Sequence, residues 1–201
     1  MQSPIYWHPK LYSFAMKRLY GAYYETRYSN LQKLIPDNSQ LLELCMGDLY
    51  FYEHYLKDKN IKYSCADVNP VFVNAAKAKN IDCSLMDILK DEIPKTDYIL
   101  IQGSIYHSIP NQASLIKKLF NSANKQLIIS ESTKNVSNSG NKLMSAAAAF
   151  LSKAKAGQSK IKFTKETLKQ SFVGFEKNIV QWIEPADSIE TIVVLQKKFV
   201  F

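Results

Sequence analysis

Short apolar runs alternate with segments of helical spacing through the middle of the chain. Five runs predict strands, near residues 41–45, 61–66, 82–86, 97–102 and 126–131. Between several of them, apolar positions recur every three to four residues and predict helices near 49–58, 70–79 and 111–123. Strands that alternate with helices are typical of a parallel sheet covered by helices on both faces.

The two ends of the chain have patterns of their own. Apolar positions from residue 9 to about 34 have helical spacing, so residues 1–36 are predicted to form a helical cap on a core of residues 37–201. Two apolar runs, near 177–184 and 189–199, are separated by a short polar connection, which predicts an antiparallel hairpin at the sheet edge. The pattern predicts a single α/β domain, a three-layer sandwich with a mostly parallel seven-stranded sheet.

Acidic residues lie at the ends of the first three predicted strands, at Glu43, Asp67 and Asp87. The carboxyl ends of adjacent parallel strands lie at one edge of the sheet, where open α/β folds bind ligands. Asp67 is at the right distance along the chain to hold a ribose diol. The turn after the first strand has a single glycine, Gly47, instead of the G-x-G-x-x-G of dinucleotide sites. This favours a nucleoside without pyrophosphate, such as S-adenosylmethionine (SAM).

From about residue 34 to the C terminus, the chain resembles the small single-domain class I SAM-dependent methyltransferases, which have a Rossmann-like fold. In the first motif of that family, an acidic residue precedes three glycines at alternate positions. Glu43 holds the acidic position and Gly47 matches the second glycine, whereas Cys45 and Leu49 replace the other two. A side chain at either position is expected to approach the cofactor or to stiffen the turn, and Leu49 is strained if its φ is positive.

The resemblance also covers the later motifs. Asp67 matches the ribose-binding position, Asp87 and Ile88 match the pair that faces adenine, and Gln102 begins the segment that contacts the methionine part. It therefore implies SAM as cofactor, S-adenosylhomocysteine (SAH) as product, and cofactor binding by Glu43, Cys45, Gly47, Asp67, Val68, Asp87, Ile88 and Gln102. Two alternatives stay open, because Glu43 could cap the following helix and Asp87 could cap the turn after it.

His107 is the best candidate for a general base. It follows the fourth predicted strand, and a neutral imidazole could take a proton from a hydroxyl, phenol or amine as the methyl group moves. Tyr106 beside it is a second candidate for a catalytic role and is predicted to line the acceptor pocket. His107 could instead be a packing residue, and a carbon activated by sulfonium charge could need positioning alone.

The predicted cap is rich in aromatic residues. Tyr12, Tyr23 and Tyr24 are predicted to hold the substrate through their ring faces and hydroxyls. Arg27 is predicted to pair with the carboxylate of the cofactor. Packing of the cap on the sheet is the alternative explanation of these residues, and both roles can coexist.

Composition narrows the class of protein. The net charge is +8, and the lysine-rich segment 142–170 favours a solvated helix face or contact with an anionic surface. The three cysteines lack CxxC spacing, which predicts reduced thiols and no metal site. No apolar run reaches the roughly 20 residues that span a bilayer, and the N terminus lacks a secretory pattern. We therefore expect a cytoplasmic protein, with peripheral membrane contact as a further hypothesis.

The sequence favours methyl transfer from SAM to a small-molecule or lipid-like acceptor by in-line displacement. An RNA methyltransferase is the first alternative, supported by positive charge alone, and strand four leads into residues 102–107 without a (D/N)PP(Y/F) motif. A catalytically inactive binding or scaffold protein is the second, favoured by the missing glycines. A member that catalyses another reaction, such as a cyclisation, also stays open.

Overall fold

The computed structural model describes residues 4–133 and 162–197. The strands are β1 (Gln40–Leu44), β2 (Lys62–Asp67), β3 (Cys83–Leu85), β4 (Thr96–Gln102), β5 (Ala123–Ser132), β6 (Ile179–Ile183) and β7 (Glu190–Gln196). They form one seven-stranded sheet in the order β3-β2-β1-β4-β5-β7-β6. Strands β1 to β5 are parallel, and β7 is antiparallel to both of its neighbours. This confirms the predicted α/β fold with its C-terminal hairpin.

Five α-helices accompany the sheet in the described residues: α1 (Pro9–Tyr20), α2 (Tyr23–Gln32), α3 (Pro70–Lys77), α4 (Gln112–Ser122) and α5 (Lys165–Gln170). Short 3₁₀ turns span Pro4–Trp7 and Ile105–Ser108, and Tyr52–Leu56 forms a π-helical turn. Within the described residues, no helix is both long and apolar enough to cross a membrane.

Helices cover both faces of the central strands. Side chains of alternate residues point to opposite faces of a sheet, so each strand contributes to two cores. One core joins β1, β4 and β5 to α4 and α5 through Leu44, Ile101, Ile129, Leu119 and Leu168. The other joins the same strands to α2 through Leu41, Leu100, Ile128, Tyr28 and Leu31. Helix α2 is therefore an integral layer of the sandwich.

Three predicted elements differ from the structure. The helix expected from residue 9 to about 34 is two helices, because Gly21 has a φ of +53° and ends α1. A π-helical turn occupies half of the α-helix expected near 49–58. Strand β5 begins at Ala123, directly after α4, instead of near residue 126. Residues 142–161 of the lysine-rich segment lie outside the described residues.

Candidate functional site

A cavity of about 600 Å³ lies where the carboxyl ends of the five parallel strands meet. The ends of these strands and the turns that follow them line the cavity through residues that include Gly47, Asp67, Asp87, Gln102 and Glu131. Helix α1 and the 3₁₀ turn before it contribute Tyr6, Tyr12, Met16, Leu19 and Tyr20. Open parallel sheets bind their ligands at this edge. The cavity is therefore the candidate functional site.

The structure brings most of the predicted site residues to this cavity. Those that line it are Tyr12, Arg27, Cys45, Gly47, Asp67, Val68, Asp87, Ile88, Gln102, Tyr106 and His107. Glu43, Tyr23 and Tyr24 do not line it. Tyr23 is exposed on α2, and Tyr24 is buried in edge-on contact with Tyr28. The substrate role predicted for these two tyrosines is therefore corrected to surface exposure and to packing.

The turn after β1 keeps a glycine-like backbone although two of its three glycine positions are substituted. The φ angles of Cys45, Gly47 and Leu49 are +57°, +63° and +66°. A non-glycine residue in this left-handed region is strained because its Cβ crowds the backbone. Leu49 is almost completely buried in a cluster with Met46 and Phe72, and this packing opposes the strain. The backbone is therefore left-handed at all three positions, although two of them carry side chains.

Tyr12 of α1 closes over this turn at Gly47. A Cβ atom placed on Gly47 would lie 3.0 Å from Cε1 of the Tyr12 ring, closer than ordinary packing allows. The glycine is therefore needed both for its positive φ and for the close approach of the cap.

We expect Gly47→Ala to lower the free energy of unfolding by about 1–2 kcal/mol, from backbone strain and the contact with Tyr12. Gly103→Ala is the control, because Gly103 has a φ of +52° and open space where the Cβ would lie. Urea unfolding of both variants separates the two costs. If both variants lost the same free energy of unfolding, the Tyr12 ring would move away from the new Cβ without an energetic cost.

Asp67 links the turn after β1 to the end of β2. Its carboxylate accepts hydrogen bonds from the backbone N–H groups of Gly47, at 3.2 Å, and Asn69, at 2.8 Å. Burial raises the pKa of Asp67 to about 6, although these N–H groups favour the charged form. The two bonds go to different oxygens, and a carboxylate offers about four lone-pair sites. Asp67 can therefore accept further hydrogen bonds from a ligand in the cavity.

Glu43 is buried beneath the cavity and acts through Gln102. It accepts hydrogen bonds from the Tyr63 hydroxyl, at 2.7 Å, and from Gln102 Nε2, at 2.9 Å. Burial raises the pKa of Glu43 to about 7 despite these two bonds. Neither ligand contact nor helix capping, the two roles expected for Glu43, describes this position. Glu43 fixes the amide orientation of Gln102, which lines the cavity.

Arg27 lines the cavity, but its charge is already paired. Its Nε lies 3.2 Å from Oε1 of Glu190 on β7, and both side chains are buried. Its NH2 group donates to Gln102 Oε1 at 3.3 Å. The guanidinium also lies over the ring of Tyr20, 4.2 Å from the ring centroid. Arg27 therefore forms a structural ion pair between the cap and the sheet, and its pairing with a cofactor carboxylate stays a prediction.

Asp87 lines the cavity and also caps the turn that follows it. Its Oδ1 accepts a hydrogen bond from Leu89 N–H, and its Oδ2 lies 3.2 Å from Lys90 Nζ. The capping role that the sequence left open is therefore present. The side chain of the adjacent Ile88 is buried at the same edge of the cavity.

Tyr106 and His107 lie in the 3₁₀ turn that follows β4. Their rings are in contact, with centroids 3.9 Å apart, and both line the cavity. The Nδ1 atom of His107 is buried without a hydrogen-bond partner among the described residues. Burial lowers the pKa of His107, so its imidazole is neutral at pH 7 and can accept a proton.

Glu131, at the end of β5, is a site residue that the sequence reasoning missed. It is almost completely buried, lines the cavity, and accepts hydrogen bonds through Oε1 from Ser104 N–H, at 2.8 Å, and Ile105 N–H, at 2.6 Å. It thereby anchors the 3₁₀ turn that carries Tyr106 and His107. The signal was present, because Glu131 ends the fifth apolar run as Asp67 ends the second.

Solved structures resemble this chain, although no protein-family model and no curated protein matches its sequence. The human N-acetylserotonin methyltransferase, in complex with SAM, matches with a TM-score of 0.65 and 14% identity over 96% of this chain. The CurJ carbon methyltransferase matches with a TM-score of 0.63 and 15% identity over 92%. The magnesium protoporphyrin IX methyltransferase of Synechocystis PCC 6803, with bound SAH, matches with a TM-score of 0.63 and 9% identity over 90% of this chain.

The chain has a class I SAM-dependent methyltransferase fold. It spans 57% of the length of the human and CurJ proteins and 87% of the Synechocystis protein. Identities of this size show a common fold and leave the reaction to be argued from the site. Because a fold alone does not determine a reaction, the function of this chain is argued from the cavity at the strand ends.

Glu131→Gln tests the electrostatics of this methyltransferase-like site. Burial raises the pKa of Glu131 to about 8, so the folded state binds more protons than the unfolded state between about pH 4.5 and 8. The free energy of unfolding therefore falls as the pH rises through this window, by at most about 1.4 kcal/mol per pH unit from this group. We expect Glu131→Gln, whose Oε1 can keep both backbone bonds, to remove the share of this fall that comes from Glu131 and to leave the shares of Glu43 and Asp67, whose pKa values are also raised.

Urea unfolding at several pH values checks this expectation, with Glu92→Gln as the control at an exposed position outside the cavity. A parallel pH dependence in Glu131→Gln and the parent protein would mean that Glu131 does not titrate in this window.

Proposed function

We propose that the protein transfers a methyl group from SAM to a small-molecule or lipid-like acceptor by direct in-line displacement. The observation that carries the proposal is Asp67, a buried carboxylate in the cavity that holds the turn of the first motif and has capacity for two more hydrogen bonds. The two hydroxyls of a ribose are donors that meet this requirement.

The other cavity residues fit the rest of a SAM molecule. Asp87 and Ile88 would hold the adenine, the backbone of Cys45 and Gly47 would pass close to the nucleoside, and Gln102 would contact the methionine part. Five carboxyl groups but only one cation, Arg27, are buried in the described residues. Among them, Asp67 lines the cavity, has no cation partner in the described residues and, with a pKa of about 6, is mostly charged at pH 7, which favours a ligand with positive charge. SAM carries a sulfonium and an ammonium, and when bound it supplies a methyl carbon activated by the sulfonium charge.

His107 and Tyr106 are proposed to act at the acceptor. The neutral imidazole of His107, which lines the cavity, would take the proton of the attacking hydroxyl or amine. Glu131 would hold the turn that carries both residues, and the Tyr106 ring would limit the movement of the acceptor. The cap residues Tyr12 and Tyr20 would exclude water from the cavity.

Calorimetric titration with SAM, SAH and NADH tests the proposal. We expect micromolar binding of SAM and SAH and no binding of NADH, because the turn after β1 lacks the glycines that cradle a pyrophosphate. Transfer of a labelled methyl group to a panel of phenols, amines and lipids then tests the reaction. If neither SAM nor SAH binds, the enzyme hypothesis is wrong and a scaffold protein is favoured. SAM binding with no transfer to any acceptor would favour a different reaction.

A further inference from the structure

Helix α1 has two apolar faces, of which one is turned to solvent. Tyr12, Met16, Leu19 and Tyr20 line the cavity. Leu11 and Phe14 are 50% and 67% exposed, and Trp7, just before the helix, is 61% exposed. Leu11, Phe14 and Arg18 are spaced by three and four residues, so they lie along one side of the helix. We call Trp7, Leu11, Phe14 and Arg18 the outer face of α1.

This surface continues toward the cavity. The Asn69 side chain donates a hydrogen bond, at 2.9 Å, to the carbonyl of Tyr6, which places the 3₁₀ turn Pro4–Trp7 beside the start of α3. Val68 and Val71 are exposed there, and Val68 also lines the cavity. Single exposed apolar residues are ordinary, whereas a cluster with a tryptophan and a phenylalanine indicates a surface that contacts something apolar.

The charges around the outer face of α1 indicate which kind of partner this surface binds. Residues 1–24 contain Lys10, Lys17 and Arg18 but no acidic residue, and all three cations are exposed. Exposed aromatic and aliphatic side chains flanked by basic residues are the composition of helices that lie in the surface of an anionic bilayer. The segment 134–161 of this chain is a poor alternative occupant, because it has five lysines and no acidic residue and would repel α1.

We infer that the outer face of α1 docks the protein on the surface of an anionic lipid bilayer. Trp7, Leu11 and Phe14 enter the headgroup region, and Lys10 and Arg18 face the lipid phosphates and carboxylates. Because the opposite face of α1 lines the cavity, docking brings the cavity close to the membrane. If the proposed methyl transfer holds, a lipid-like acceptor can then reach it without crossing bulk water.

Co-sedimentation with vesicles tests the docking without cofactor or acceptor, so its failure is distinguishable from a failure of the proposed methyl transfer. We expect the protein to bind vesicles of equimolar phosphatidylcholine and phosphatidylserine, and not vesicles of phosphatidylcholine alone. Phe14→Ser or Trp7→Ser is expected to weaken binding about tenfold, from the lost apolar area. Val173→Ser is the matched control, because Val173 is 71% exposed on the turn after α5, and it is expected to bind like the parent protein.

A second pair of variants tests the electrostatic contribution to vesicle binding. Lys10→Gln/Arg18→Gln is expected to weaken binding about tenfold or more, since it removes two charges that the anionic surface attracts. Lys57→Gln/Lys117→Gln, which removes two exposed lysines elsewhere, is expected to leave binding within about twofold. Added salt is expected to weaken binding of the parent protein.

Three outcomes would overturn the inference. The first is a parent protein that does not bind anionic vesicles. The second is vesicle binding that Phe14→Ser and Trp7→Ser leave unchanged, which would place the lipid contact elsewhere. The third is a dimer seen by sedimentation velocity that Phe14→Ser dissociates while vesicles have no effect. That result would make the outer face of α1 an interface between two copies of the chain.

Discussion

Replacement of Asp67 by alanine is expected to weaken SAM binding by about 10–100-fold. The substitution removes the acceptor for the ribose hydroxyls and leaves the Gly47 and Asn69 N–H groups without their partner. A hydrogen bond to a charged group is worth about 1.5–3 kcal/mol, and each 1.4 kcal/mol changes affinity tenfold. Calorimetric titration of the folded variant with SAM measures the loss.

Two further variants control this prediction. Asp97→Ala removes an acidic residue of β4 that pairs with exposed Lys125 outside the cavity, and it is expected to leave SAM affinity unchanged. His107→Ala is expected to reduce turnover and to change SAM affinity by less than about threefold, because its role is at the acceptor. If His107→Ala lost more SAM affinity than Asp67→Ala, the roles assigned to the two residues would be reversed.

The pH dependence of SAM binding follows from the same carboxylate. Burial raises the pKa of Asp67 to about 6, so the group loses its charge as the pH falls through 6. A protonated carboxyl has fewer acceptor sites for the ribose. SAM affinity is therefore expected to fall below pH 6 in the parent protein and in Asp97→Ala, and to change less in Asp67→Ala.

The sequence predicted the parallel sheet and the edge that carries the site, because both depend on local patterns. Each apolar run becomes a strand, and the acidic residue that ends a run lies at the carboxyl edge by necessity. Asp67 and Asp87 were found by this rule. Glu131, the last residue of the fifth predicted strand, obeys the same rule but was not assigned to the site.

Features that depend on contacts between distant parts of the chain could not be predicted from the sequence. Arg27 pairs with Glu190 because β7 enters the sheet beside β5, and no sequence pattern in the cap predicts that partner. Glu43 was expected to contact a ligand, yet Tyr63 from the neighbouring strand β2 occupies one of its oxygens. The strain at Leu49 was anticipated, but the burial that opposes it depends on Phe72 of α3. Tertiary contacts decide all three cases.

Arg27→Met is expected to have the largest effect on stability, lowering the free energy of unfolding by about 3–5 kcal/mol. Methionine fills the space of the side-chain stem but leaves Glu190 buried without its cation and Gln102 Oε1 without the donor on Arg27. The stacking of the guanidinium on Tyr20 is lost as well. Urea unfolding measures the effect, and Arg18→Met, at the other arginine of the chain, is the exposed control.

The double variant Arg27→Met/Glu190→Gln separates the ion pair from a ligand role. It removes both charges, and the new glutamine can still accept the hydrogen bond that Ser130 donates to Glu190. Because replacing a buried pair costs much less than breaking it, the double variant is expected to recover most of the lost stability. If Arg27 serves only to join α2 to β7, the recovered protein binds SAM within about threefold of the parent protein. A tenfold or larger loss in that folded variant would return Arg27 to the role the sequence first gave it, as the partner of the cofactor carboxylate.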